Sequence, residues 1–141
     1  MIGDMNYKPH HTAISVRNLE ESLEFYKKLG YQQVHQWDAE DGSLAIVHLK
    51  LGESFMEVFA YAQNQDSELA NFDYANNLEE IGVKHIALQV DNLHNALQDL
   101  REKGLADDKT VIREGRTKVS YLFIQDPDGV WVEIVEDKRG Y

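Results

Sequence analysis

Cysteine is absent from this 141-residue chain, which excludes disulfide scaffolds, thiolate metal sites and thiol nucleophiles together. Long hydrophobic runs are absent too. No stretch approaches the roughly 20 apolar residues that a transmembrane helix needs. The opening residues, Met1 to Lys8, have neither an apolar stretch nor a signal-peptide cleavage pattern. The expectation is therefore a cytoplasmic protein without a membrane partner. Positive charge is in short supply, with 14 Lys and Arg against 25 Asp and Glu, a formal net charge of −11. Binding to nucleic acid relies on cations that neutralise phosphates, so nucleic acid is a poor partner. The acidic residues form no tail and read as a solvated surface. No low-complexity segment interrupts the chain.

What the chain does contain is a repeat. His11-Thr-Ala-Ile-Ser-Val-Arg-Asn-Leu19 recurs as His85-Ile-Ala-Leu-Gln-Val-Asp-Asn-Leu93, an offset of 74 (85 − 11). Each copy continues into a helix-like run that ends at a glycine, Gly30 and Gly104. Seven of the twenty aligned positions are identical, which points to two equivalent half-domains. An apolar fraction of 43% provides enough material for a core in each.

Alternation predicts a strand from His10 to Val16. Asn18 follows as a helix N-cap, with Glu21 three residues on to complete a capping box. The helix over Leu19–Leu29 carries Leu19, Leu23, Tyr26 and Leu29 on its expected apolar stripe, and Gly30 stops it. Strands are predicted at Tyr31–Trp37, Leu44–Leu51 and Ser54–Tyr61, with turns at Asp41-Gly42 and Gly52-Glu53. The second copy repeats the order. Its strand is Val83–Val90, its helix is Leu93–Lys103 capped by Asn92 or Asp91, and its later strands are Lys109–Glu114, Lys118–Gln125 and Val130–Val135. Asp126-Pro-Asp-Gly129 makes the last tight turn. The organisation is a first βαβββ module over 9–61, a polar connector over 62–82 with scattered Leu69, Phe72, Tyr74, Leu78 and Ile81, and a second module over 83–136. The connector has room for a short helix.

Two residue types recur at equivalent places. His11 and His85 begin the first strand of each copy, and Glu57 and Glu133 sit within the last. A carboxylate inside an apolar strand is unfavourable to bury unless something neutralises it. Phe55, Phe59 and Tyr61 share the face of Glu57, and Trp131 and Val135 share that of Glu133. Taken singly, Glu57 would read as a solvent-facing carboxylate and His11 as a structural histidine. The recurrence of both favours one shared divalent cation, with two imidazoles and two carboxylates suited to Zn, Ni, Mn, Co or Fe(II). His48 could line the same cleft. His10 is expected on the opposite strand face, His35 lies on the second strand, and His94 is expected to be exposed.

The run His-x-Ala-Ile-x-Val-x-Asn-Leu-x-x-Ser-Leu-x-Phe-Tyr-x-x-Leu-Gly from His11 to Gly30 resembles the opening of the vicinal oxygen chelate superfamily. That group contains glyoxalase I, bleomycin- and fosfomycin-resistance proteins, methylmalonyl-CoA epimerase and extradiol dioxygenases. Asp126-Pro-Asp-Gly-Val-Trp-Val-Glu133 is similar to the family's final hairpin and last metal ligand. The resemblance covers about residues 9 to 136. It implies an α+β fold of two paired βαβββ modules (glyoxalase-like), with mixed sheets curled into a metal-binding cup. It implies that His11, Glu57, His85 and Glu133 are the metal ligands, that a homodimer forms, and that the substrate is a small molecule.

The full His-Glu-His-Glu set resembles the glyoxalase branch, since extradiol dioxygenases generally use two His and one Glu. By that resemblance the protein is a metal-dependent lyase or isomerase acting on vicinal oxygens through an enediolate. Glu133 is then the first candidate for the catalytic base and Glu57 the second. The chain departs from glyoxalase I where that enzyme grips glutathione. Ser15 stands at its arginine position and Tyr61 at its asparagine position. Arg17, Arg113, Arg116 and Lys118 are possible substitutes. The expected substrate is therefore not lactoylglutathione but a less polar compound matched to Phe55, Phe59, Tyr61, Tyr121 and Trp131. Two rival readings are a drug- or metabolite-binding resistance protein and an Fe(II) dioxygenase.

Overall fold

The structure is a computed structural model that describes residues 5–67 and 78–141. The connector's Leu69, Phe72 and Tyr74, and the helix for which it has room, lie outside the described residues. Element order is β1 (His11–Ser15), α1 (Leu19–Lys28), β2 (Gln32–Asp38), β3 (Leu44–Leu51), β4 (Ser54–Tyr61), β5 (Ile86–Gln89), α2 (Leu93–Glu102), β6 (Arg113–Glu114), β7 (Ser120–Gln125) and β8 (Trp131–Glu136). The chain divides into two compact units, Met1–Asn64 and Gln65–Tyr141. Each carries one βαβββ set, as the sequence repeat predicts. No helix among the described residues is long and apolar enough to cross a membrane.

In the first unit the sheet order is β1-β4-β3-β2. The β1–β4 pair is parallel, while β3–β4 and β2–β3 are antiparallel. The helix between β1 and β2 allows the chain to return and set β1 beside β4 in parallel. Asn18 caps α1 through its side-chain oxygen, which accepts from the Glu21 amide at 3.1 Å. The buried face of α1 is Ser22, Phe25 and Tyr26; of the expected stripe Tyr26 is buried, while Leu19, Leu23 and Leu29 are half-buried. Tyr26 is fully buried and meets Phe25 and Tyr31 edge-on at 5.0 and 5.6 Å. The larger aromatic surface wins the interior because it removes more apolar area from water than leucine does. Val47, Leu49, Met56 and Val58 complete this core from β3 and β4. The edge strand β2 is exposed along its whole length.

The second unit has the corresponding order β5-β8-β7-β6, again with one parallel pair. Asn92, not Asp91, caps α2, accepting from the Asn95 amide at 2.9 Å. Leu93 and Leu100 of α2 are buried, as are Leu122, Ile124, Val132 and Ile134 of the sheet. Leu122 is 1% exposed and pairs across the ladder with Ile134. Leu122→Ala is expected to lower the free energy of unfolding by about 2–5 kcal/mol in urea titrations, since the site is too enclosed to collapse fully. A loss of well under ~1 kcal/mol would show that the surrounding structure fills the cavity.

Three strands of the second unit are shorter than the pattern predicts, the first being Ile86–Gln89 in place of Val83–Val90, so that His85 immediately precedes it. The expected strand Lys109–Glu114 is reduced to Arg113–Glu114. The Asp107 carboxylate accepts from the amides of Lys109 and Thr110 at 2.8 and 3.1 Å. Arg101 of α2 donates to the Asp107 and Thr110 carbonyls at 3.1 and 2.9 Å. This local side-chain turn competes with the ladder and takes the backbone from it. Similarly, Lys118 adopts a positive φ of 66° in a turn closed by Lys118 N–H to the Gly115 carbonyl at 3.0 Å, so β7 begins only at Ser120. In the final turn, the Asp126 carboxylate accepts from the amides of Asp128 and Val130, each at 2.9 Å. Gly129 takes φ 87° there, a conformation without steric penalty only for glycine. That turn fixes where β8 begins, and with it the position of Glu133.

Candidate metal centre

Register decides which side chains share a face. In the first unit Glu57 of β4 lies between Ala13 of β1 and His48 of β3. Partners directly opposite in a ladder project to the same side, so His11, Ala13, Glu57 and His48 occupy the face away from the core residues Met56 and Val58. The β2 ladder shifts register between Gln33 and His35, after which His35 pairs with His48 and Trp37 with Ile46. That shift turns His35 and Trp37 to the same open face.

The side-chain contacts follow this layout. His11 Nε2 stands 3.8 Å from Glu57 Oε1. His48 Nε2–H donates to Glu57 Oε2 at 2.8 Å. The His35 and His48 rings are neighbours, with centroids 5.7 Å apart. His10, expected on the opposite face, instead stacks on Phe55 at 5.4 Å and places its Nδ1 2.8 Å from that of His11. It precedes the first strand residue, so strand alternation does not govern it.

The second unit repeats half of this design. Glu133 of β8 lies between Ala87 of β5 and Phe123 of β7. His85 Nε2 is 2.6 Å from Glu133 Oε2, and the pair is more enclosed than its counterpart. An aromatic chain surrounds it. Phe123 meets His85, Tyr121 and Trp131 edge-on at 5.4, 5.6 and 5.8 Å. Arg113 pairs with Tyr121, which places a cation at the margin of this face. Arg17 lies beyond the end of β1, outside the strand row that carries His11. Arg116 and Lys118 belong to the turn before β7. His94 is exposed on α2.

The structure thus joins His11 to Glu57 and His85 to Glu133. Among the described residues, no group of three or more His, Asp or Glu is gathered closely enough to hold a metal ion. Each pair by itself offers one imidazole nitrogen and one carboxylate oxygen. The 3.8 Å separation of His11 and Glu57 is less than two bonds of about 2 Å end to end, so one ion can touch both. The 2.6 Å separation of His85 and Glu133 is a direct contact of nitrogen and oxygen. A cation held by both would part the two atoms slightly. The donor set therefore fits a borderline divalent metal.

Sequence reasoning weighed His48 only as a cleft residue and missed its bond to Glu57. The signal was present. The tight turn at Gly52-Glu53 pairs Leu51 with Ser54, and three steps further along the ladder it must pair His48 with Glu57.

Comparison with known proteins supports the same architecture. The family model described as Glyoxalase/Bleomycin resistance protein/Dioxygenase superfamily matches residues 8–134. The chain is 28% identical over 141 residues to the lactoylglutathione lyase of Schizosaccharomyces pombe, covering 94% of this chain but 46% of that protein, so it spans about half of that relative's length. It is 32% identical over 129 residues to the mitochondrial methylmalonyl-CoA epimerase of Homo sapiens, covering 89% of this chain and 71% of that protein. The trypanothione-dependent glyoxalase I of Leishmania major superposes with a TM-score of 0.67 at 23% identity, covering 94% of this chain and 88% of that structure. That likeness concerns the fold.

Proposed function

This chain belongs to the Glyoxalase/Bleomycin resistance protein/Dioxygenase superfamily, and we propose that within it the protein is a metal-dependent lyase or isomerase. The proposed ligands are His11, Glu57, His85 and Glu133, contributed by modules of one chain or of two copies in a homodimer. One observation carries this reading. Equivalent positions of a repeated βαβββ unit each bring an imidazole and a carboxylate within 4.0 Å on the open face of a sheet. A fortuitous surface pair has no reason to occur twice at the same place in the topology.

The bound ion would supply a Lewis acid that stabilises negative charge developing on a substrate oxygen. The chain's own contribution is the movement of a proton. A carboxylate takes it from the carbon beside a carbonyl and returns it to that carbon or its neighbour, with epimerisation or isomerisation as the outcome. The aromatic ring of residues around Glu133 limits water at the exchange site and favours a substrate with apolar surface. Ser15 and Tyr61 on the first module's open face provide no cationic grip for a glutathione carboxylate. The proposed substrate is a small vicinal-oxygen compound, less polar than lactoylglutathione.

Elemental analysis of protein purified without added metal tests the first half. About one divalent ion per four-ligand set is expected. Incubation in D₂O with glutathione adducts, acyl-CoA thioesters and small hydroxy-carbonyl compounds tests the second, with deuterium expected at the carbon that loses its proton. Tight ligand binding by metal-stripped protein without any exchange would favour the binding-protein reading. Oxygen uptake with an aromatic diol would favour the dioxygenase.

A further inference from the structure

We propose that His48 is a positioning residue that fixes the carboxylate of Glu57 and prepares its second oxygen for the metal. This rests on the metal-centred reading above and adds to it a residue outside the four ligands.

The two oxygens of Glu57 have different partners. Oε2 accepts from His48 Nε2–H at 2.8 Å, while Oε1 is the atom nearest His11 Nε2 at 3.8 Å. A carboxylate held at one oxygen loses rotation about its last bond, and the other oxygen is thereby aimed. His48 is itself supported. It lies mid-strand in β3, directly across the ladder from Glu57, with His35 of β2 on its other side at 5.7 Å.

The repeat supplies an internal comparison. The position across the ladder from Glu133 is Phe123, whose ring has no polar hydrogen to donate to a carboxylate. Among the described residues of that module, the nitrogen beside Glu133 Oε2 is that of His85 itself, at 2.6 Å. Two modules that match in their proposed ligands thus differ at the antiparallel ladder position opposite the carboxylate. Glu57 is held by a residue other than its proposed co-ligand, so binding a cation would not require breaking its tether. At Glu133 the cation must displace the imidazole contact first.

The test compares His48→Phe, which gives the first module the second module's arrangement, with His48→Gln, whose side-chain amide keeps a donor. Affinity for Zn²⁺ is read by competition with a chromophoric chelator, and folding by thermal unfolding of the metal-stripped proteins. His48→Phe is expected to weaken Zn²⁺ binding by about 10–100-fold with little change in unfolding temperature, and His48→Gln to recover most of that loss. Equal affinity in wild type and His48→Phe would overturn the proposal, as would an equal loss in both variants. A second readout needs no metal. The long-range ¹H–¹⁵N spectrum of the metal-stripped protein is expected to show His48 as the Nε2–H tautomer with a slowly exchanging proton. That signal should exchange rapidly in Glu57→Ala. If the wild type binds no divalent ion, the metal reading falls, and the spectrum alone then decides the His48–Glu57 contact. An Nδ1–H tautomer, or fast exchange in the wild type, would overturn it.

Discussion

Glu133→Gln is expected to lower kcat by about 100- to 10,000-fold, the range that a positioned general base contributes, while the protein remains folded. Glutamine keeps the shape of the side chain and an oxygen able to ligate, but it cannot take a proton. The substitution thus separates basicity from packing. Glu133 is the first choice as base for reasons visible in its surroundings. It is the less exposed of the two carboxylates, at 17% against 24% for Glu57. It stands among Phe123, Tyr121 and Trp131, and across from it is a ring that cannot hold it in place. Glu57, tethered by His48, is better fitted to stay still. The same exchange at Glu57 is accordingly expected to reduce metal content more and the proton-transfer step less. The measurement is kcat with the divalent metal at saturation, paired with metal analysis of each variant. Wild-type turnover in Glu133→Gln would remove this residue from the mechanism, and a loss confined to Glu57→Gln would exchange the two roles.

Alanine at His11 or at His85 is expected to weaken divalent metal binding by more than ~100-fold, beyond the ~10–100-fold typical of residues that merely support a ligand. Activity should fall in parallel. Each histidine contributes a nitrogen donor that the remaining carboxylates do not replace, and nitrogen donors are what make such a site suit Zn, Ni or Co over Mg. The two variants should behave alike, because the histidines occupy equivalent positions, each two residues before the alanine that faces its glutamate. Equilibrium dialysis with trace metal reads the affinity. Circular dichroism should change little, since both side chains lie on the open faces and not among the core residues. Retention of wild-type affinity by both variants would show that the imidazoles are not ligands. Retention by one alone would show that the repeat is symmetric in sequence but not in chemistry.

Much of the fold is legible in the linear chain because its signals are local. Asn18 and Asn92 cap their helices from one residue away, and Gly42, Gly52 and Gly129 turn the backbone with φ values of 74°, 58° and 87°. The bounds of β3 and β4, Leu44–Leu51 and Ser54–Tyr61, coincide with the pattern because a glycine turn separates two predominantly apolar runs. Where local signals compete, the pattern misleads. Lys109–Glu114 alternates like a strand, yet the hydrogen bonds of Asp107 with Lys109 and Thr110 hold most of it in a turn. The expected α1 stripe holds Tyr26, which is buried, but it omits Phe25, which takes the interior ahead of the leucines. His10 follows the arithmetic of a strand that has not yet begun.

Sequence by itself determined the repeat, the order of elements and the equivalence of His11 with His85 and of Glu57 with Glu133, because duplication and period-two alternation are properties of the chain's order. Only the tertiary structure decided who stands beside whom. That β1 pairs with β4, and β5 with β8, brings each histidine to its glutamate across a gap of dozens of residues. The hairpins β3–β4 and β7–β8 are set by their turns, and they give Glu57 a histidine and Glu133 a phenylalanine as neighbour. The parallel pairings depend instead on which strand edge satisfies which row of backbone hydrogen bonds, a choice made by the whole sheet and by no single segment of it.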